Sequence, residues 1–179
     1  MAGIEHETME IRSYRAAELH ELIKLFEASV SELTQAYYTE PQRRAWLSSV
    51  DNTGLWQQRL SAGETLVAEN SGFLMGFISF TDQGHIDLLF THPQCARLGV
   101  ATRLYQQAER RLFSRGVRRL HTEASRVARS FFTAMGFGVT ETEVVEQKGV
   151  LLERFRMEKF FREKEEGSCN SLGPILNSS

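Results

Sequence analysis

The stretch Leu88–Leu112, LLFTHPQCARLGVATRLYQQAERRL, decides how the chain is read. An apolar strand breaks at Thr91, His92 and Pro93 and turns through Gln94 to Leu98. It then enters a helix at Gly99 whose apolar face is Ala101, Leu104, Tyr105, Ala108 and Leu112. The first turn of a helix has backbone N–H groups without partners, and its aligned peptide dipoles put partial positive charge there. A strand, a loop and a helix N-terminus therefore make a ready site for phosphate. Gly99 lets the backbone approach a ligand closely, Ala101 is small to the same effect, and Arg97 and Arg103 add charge at the rim. Taken alone, the loop is as compatible with an ordinary strand, turn and helix.

The residues before the loop have the period of strands. ETLVAE from Glu64, FLMGFISF and HIDLLF are separated by Asn70-Ser71-Gly72 and Asp82-Gln83-Gly84, which are hairpin signals, so an antiparallel meander delivers the chain to the loop. Further upstream, MEIRSY (Met9 to Tyr14) alternates as a first strand. Leu19, Leu22, Ile23, Phe26, Val30 and Leu33 then recur at helical spacing, predicting a helix from about Ala16 to Ser31. Glu40 and Pro41 open a second helix through Trp46, and a third short one covers Leu55 to Leu60 after the turn Asp51 to Gly54. Tyr37, Tyr38, Trp46 and Trp56 are read as packing for this irregular helical layer, with pocket lining as the alternative.

After the Gly99 helix, Val117 to Glu123 fits a strand that returns beside HIDLLF by a right-handed crossover, which makes the sheet mixed. Ser125 caps a helix from Arg126 to Met135 that Gly136 ends, and Phe137 to Val145 and Val150 to Phe161 are two more strands.

Composition narrows the function. The 179 residues, 41% of them hydrophobic, suit one domain, expected over residues 9–162 between a flexible segment at 1–8 and a disordered tail at 163–179. Lys+Arg 21 against Asp+Glu 23 gives a formal net charge of -2, without the basic field of a nucleic-acid binder. The arginines from Arg110 to Arg119 sit where a helix C-terminus favours cations and read as a solvated face. Two cysteines, Cys95 and Cys169, support neither a disulfide framework nor a metal site. No stretch approaches the roughly 20 apolar residues of a membrane helix, and the acidic start does not read as a signal peptide, so a cytoplasmic setting without membrane or nucleic-acid partner is expected. The absence of GxxxxGK[ST] and GxGxxG disfavours a P-loop NTPase and a dinucleotide reductase.

The order of elements and three local patterns resemble the GNAT superfamily of N-acetyltransferases, across almost the whole chain to about residue 161. Leu89-Phe90-Thr91-His92-Pro93 looks like the strand end that bonds the pantetheine arm. Ala96 to Ala101 (ARLGVA) occupies the pyrophosphate loop, whose pattern is Gln/Arg-x-x-Gly-x-Gly/Ala. Ala128 to Phe137 (ARSFFTAMGF) looks like the helix and turn written A-x-x-F-Y-x-x-x-G-F. Ile86 to Phe90, Glu123-Ala124-Ser125, Phe131-Phe132 and Arg156 to Lys159 look most like the YafP-like branch. The resemblance implies a GNAT-like α/β fold: a central mixed, mostly antiparallel, twisted sheet of about seven strands flanked by about four helices. It implies acetyl-CoA as acyl donor, a primary amine of a small molecule or peptide as acceptor, direct attack in a ternary complex, no metal, and a monomer or homodimer. A CoA-binding module with little catalysis and an acyltransferase for a larger acyl-CoA are the alternatives.

Site residues follow on the same terms. Leu89, Phe90, Thr91, Arg97, Leu98, Gly99, Val100, Ala101, Thr102, Arg103, Ser125 and Phe132 are expected to hold the cofactor. Ala96 replaces the family's Gln/Arg, which leaves the pyrophosphate to backbone N–H groups from Leu98 to Ala101 together with Arg97. Ser125 stands for the family's asparagine. Phe132 stands where many members have a tyrosine that protonates the departing thiolate, and a phenyl ring has no proton to give; Tyr105 is a distant second candidate for that acid, because its helical spacing makes it core.

For the amine proton, period-two alternation puts His85, Asp87 and Leu89 on one strand face. Asp87, in an apolar strand, is expected to lose hydration and accept the proton directly or through water, unless it bonds a neighbouring backbone group. His85 occupies the position of a family glutamate base, and Glu123 ends the adjacent strand, where it shares the proton path or orients the amine.

Overall fold

Three antiparallel strands form around the two glycine-bearing turns: β2 (Glu64–Asn70), β3 (Phe73–Phe80) and β4 (Ile86–Thr91). β1 (Glu10–Ser13) pairs beside β2, giving a sheet in the order β1-β2-β3-β4. The computed structural model describes residues 9–161, so the expectations for residues 1–8, residue 162 and the tail at 163–179 lie outside the described residues.

One face of this sheet is covered by α4 (Val100–Ser114), which buries Val100, Leu104, Tyr105, Ala108 and Leu112. Val100 takes the buried position expected for Ala101, because Gly99 serves as the helix cap and the first turn starts one residue later. The other face carries α1 (Leu19–Leu33), α2 (Glu40–Leu47) and α3 (Thr53–Ser61). Leu22, Phe26, Val30, Trp56 and Leu60 from α1 and α3 pack there on Val67, Phe77 and Leu88. α2 and α3 are separate helices because Thr39 caps one and Asn52 the other, so five α-helices form among the described residues where about four were expected.

A second sheet of three strands, β5 (Arg119–Ser125), β6 (Gly138–Gln147) and β7 (Val150–Phe160), is antiparallel in the order β5-β7-β6, with α5 (Arg126–Ala134) following β5. The strand total is the seven expected. The crossover through α4 does return β5 parallel to β4, but their ladder is a single bridge, His85↔His121. The His121 N–H donates to the Gly84 carbonyl at 2.9 Å, and the Thr122 hydroxyl to the Ile86 carbonyl at 2.9 Å. A Cβ on Gly84 would lie 2.2 Å from the Arg119 carbonyl oxygen, so glycine is what lets the two strands touch here. Beyond this junction the strands part, and the molecule has a four-stranded and a three-stranded sheet.

β4 bends away because it carries a bulge. Ser79 pairs with Leu88 and Phe80 with Ile86, so Asp87 is the extra residue. A bulge adds local twist and re-aims side chains, often beside an active site. It also corrects the expected face: Leu89 packs with Ile86 on the α4 side, whereas Leu88 and Phe90 pack under α1. Leu89 therefore does not share the face to which Asp87 points.

Candidate active site

Where β4 and β5 part, a cavity of about 330 Å³ opens between the sheets. Leu89 and Phe90 line one side, Ala124 and Ser125 the other, and Ala128 and Phe132 of α5 the inner end. Phe26, Tyr38 and Trp46 form an aromatic wall with Phe90; the Phe26 and Phe90 centroids are 4.8 Å apart and those of Tyr38 and Trp46 5.6 Å. The tip of the β6–β7 hairpin closes the outer side. Gln147 Nε2 donates to the Ala45 carbonyl at 2.8 Å, and Gln42 Nε2 to the Leu151 carbonyl at 3.1 Å, tying that tip to α2.

Asp87 and Glu123, both on the cavity wall, have different partners. Asp87 receives both Nε–H (2.9 Å) and Nη2–H (2.7 Å) of Arg59, a bidentate pair reaching from α3 to the bulge. Glu123 lies 2.7 Å from Nε2 of His85. His85 stacks on His121 with ring centroids 4.9 Å apart, and burial, followed by the charge of His85, holds His121 below the usual histidine range. The Nδ1 of His121 is buried and has no hydrogen-bond partner among the described residues. Sequence reasoning foresaw Asp87, His85 and Glu123 in one region and missed Arg59, since nothing in TGLWQQRL marks one arginine as a partner across 28 residues.

Tyr38, expected to pack the helical layer with pocket lining as the alternative, does both. It is 5% exposed, and its hydroxyl accepts the Arg126 backbone N–H at 2.8 Å, fixing the start of α5. Burial pushes its phenol above the usual range, with the Arg126 N–H opposing. Ser125 caps α5, accepting the Ala128 N–H at 3.2 Å. Phe132 is 3% exposed and sits edge-on to Phe137 at 5.1 Å. Tyr105 is core: its phenol is pushed up by burial and hydrogen-bonds Glu109 at 2.9 Å.

At the far end of β4 the chain turns through a short 3-10 segment, Pro93–Cys95, into the loop before α4. Arg97 (φ 62) and Gly99 (φ 78) both take the left-handed conformation. For a residue other than glycine this costs on the order of 1 kcal/mol, and such turns point successive N–H groups into one concavity suited to an anion. No side chain caps α4 among the described residues, which leaves the first-turn N–H groups of Val100, Ala101 and Thr102 without a capping partner there, and a Cβ on Gly99 would meet no atom within 4 Å. These residues fit a pyrophosphate. Arg97 is exposed at the rim, whereas Arg103 spends an Nη2 donor on the Met9 carbonyl at 3.2 Å. Cys95 is buried, and burial raises its thiol. The arginines at the other end of α4 are committed elsewhere: Arg111 and Arg115 to Glu64, and Arg119 to Glu158. Among the described residues no cluster is fit to hold a metal ion, and no helix is long and apolar enough to cross a membrane.

The model of the acetyltransferase (GNAT) domain matches residues 33–159. The chain belongs to the GNAT family. YafP, an uncharacterized N-acetyltransferase of Escherichia coli (strain K12), is 28% identical over 149 residues, covering 83% of this chain and 94% of YafP. A GCN5-related N-acetyltransferase from Rhodopseudomonas palustris superimposes with a TM-score of 0.83 at 31% identity, covering 89% of this GNAT chain and 100% of the other. PaiA N-acetyltransferase from Thermoplasma acidophilum, in complex with coenzyme A, has a TM-score of 0.69 at 22% identity over 86% and 99% of the two chains, a likeness of fold. Together these fix the GNAT chain as an acetyltransferase domain.

Proposed function

We propose that this domain moves an acetyl group from acetyl-CoA to a primary amine by direct attack, with the pair Glu123–His85 accepting the amine proton. The observation that carries the proposal is the parting of β4 and β5 immediately beyond that pair. The parting leaves the β5-facing edge of β4 open to the pantetheine arm along Leu89, Phe90 and Thr91, while the N–H groups from Gly99 to Thr102, with Arg97, receive the pyrophosphate, the Leu98 N–H being spent on the Cys95 carbonyl at 3.3 Å. Bound acetyl-CoA supplies an activated acyl group and a thiol leaving group. The chain supplies the rest.

An amine in the cavity must be neutral to attack. Glu123 takes its proton, and His85, at 2.7 Å, shares the charge and passes the proton to water at the rim. A main-chain N–H near Leu89 to Thr91 polarises the carbonyl, a C–N bond forms, and the C–S bond breaks. Phe132 has no proton to donate, so the thiolate takes one from water, which a thiol of ordinary pKa near ~8.5 allows. Asp87 is held by Arg59, a permanent cation, and serves to fix that arginine. The buried Cys95 thiol suits a reducing compartment and supports a cytoplasmic setting.

Release of free thiol from acetyl-CoA, measured with a panel of small amines and peptides alongside the mass of the acetylated product, tests this reading. Thiol and acetylated amine should appear in equal amounts with at least one acceptor. If acetyl-CoA binds yet no amine gives thiol above the water background, the chain is a cofactor-binding module instead.

A further inference from the structure

We infer that Arg59, fixed by Asp87, is the receptor for a carboxylate carried by the acceptor, so that the acceptor class is amino acids or small amino-carboxylates. The inference rests on the transferase reading for the fate of the amine, but its own evidence is the geometry of one guanidinium.

A guanidinium offers two edges on which parallel N–H donors match a carboxylate. Asp87 occupies one, formed by Nε and Nη2, at 2.9 and 2.7 Å. The other, formed by Nη1 and the second hydrogen of Nη2, meets no acceptor among the described residues, although Arg59 lines the cavity and its side chain is 34% exposed. The bidentate hold of Asp87 orders the group before any ligand arrives, and the guanidinium lies 6.0 Å from the Trp56 ring centroid, further restricting it. A preorganised cation with a vacant fork is suited to a second carboxylate.

Two other charges on the wall are otherwise engaged: Arg154 pairs with Glu143 at 2.6 Å, and Glu153 with Arg126 at 3.1 Å. The fork is also separate from the cofactor's phosphate site. Asp87 precedes Thr91 by four residues of strand, about 13 Å along β4. Within the cavity, the amine end of the acceptor faces the Glu123–His85 pair at the junction of β5 and β4, and its carboxylate faces Arg59, held from α3 against Asp87 of β4.

The test uses matched ligands that differ in the carboxylate alone. Initial rates of thiol release are compared for amino acids and their amides, with the wild-type protein and with Arg59→Gln and Arg59→Lys. The expected result is a preference for the free carboxylate of about tenfold or more, falling towards one in Arg59→Gln and only partly kept in Arg59→Lys. In parallel, binding of the corresponding N-acetyl amino acids and their amides is measured by titration calorimetry without acetyl-CoA, which needs no turnover. Carboxylate-selective binding lost in Arg59→Gln, with no thiol released from any amine, would uphold the arginine site and refute the transferase reading. Thiol release with equal or better use of the amides, or selectivity unchanged in Arg59→Gln, would overturn the arginine site and leave the transferase reading standing.

Discussion

Nε2 of His85 lies 2.7 Å from Oε2 of Glu123, and the strands that carry them part directly beyond the contact. A titratable pair is thus set at the mouth of the slot that the fold opens. Two residues past His85, Asp87 is clamped by an arginine that cannot release its proton. The site therefore contains one carboxylate paired with an imidazole and one paired with a guanidinium.

That division makes Asp87→Asn informative. The variant should lower kcat/KM several-fold through a higher KM for the acceptor, because it loosens Arg59, while the acid limb of the pH profile persists. Loss of the acid limb would return Asp87 to the role of proton acceptor.

The cofactor loop depends on backbone shape. Gly99→Ala, at φ 78 with open space around the missing Cβ, should cost about 1 kcal/mol of stability and keep acetyl-CoA binding. Gly99→Pro cannot adopt that φ and should abolish binding, whereas Ala96→Gln should bind as tightly as the wild type or tighter. Titration calorimetry with acetyl-CoA reads all three, and near-normal binding by Gly99→Pro would refute the assignment of the loop.

Phe132→Tyr places a phenol at the α5 side of the cavity. If water protonates the thiolate without limiting the rate, kcat should change less than about threefold. A gain of tenfold or more would show that an acid is missing.

The junction should also be visible in stability against pH. His121 has a lowered pKa in the folded protein, chiefly through burial, so the unfolded chain binds its proton more readily. Its contribution is complete above the ordinary histidine value of about 6.5 and is lost as pH falls below that towards the folded value. Denaturant midpoints at pH 7.5 and 5.5 should therefore fall further for the wild type than for His121→Phe, which retains a stacked ring without the titration. Equal falls would contradict this.

Much of this was legible in the sequence because it is local. The turns at Asn70-Ser71-Gly72 and Asp82-Gln83-Gly84, the amphipathic face of α4 and the Ser125 cap each follow from a few adjacent residues. The bulge at Asp87 was hidden, because HIDLLF reads as unbroken alternation and the extra residue appears only in its register against β3. The parting of β4 and β5 was hidden for the same reason: it begins at that bulge, just past a junction held by contacts such as Thr122 to Ile86, 36 residues apart. Arg59 belongs to this non-local class, as does the left-handed backbone of Arg97, which no residue type announces.

The pH dependence of kcat/KM for the amine acceptor, compared between the wild type and Glu123→Gln, tests the account most directly. The account predicts a fall of about a hundredfold or more in the variant, loss of the acid limb and an unchanged Kd for acetyl-CoA. A variant that keeps both its rate and its acid limb would contradict it.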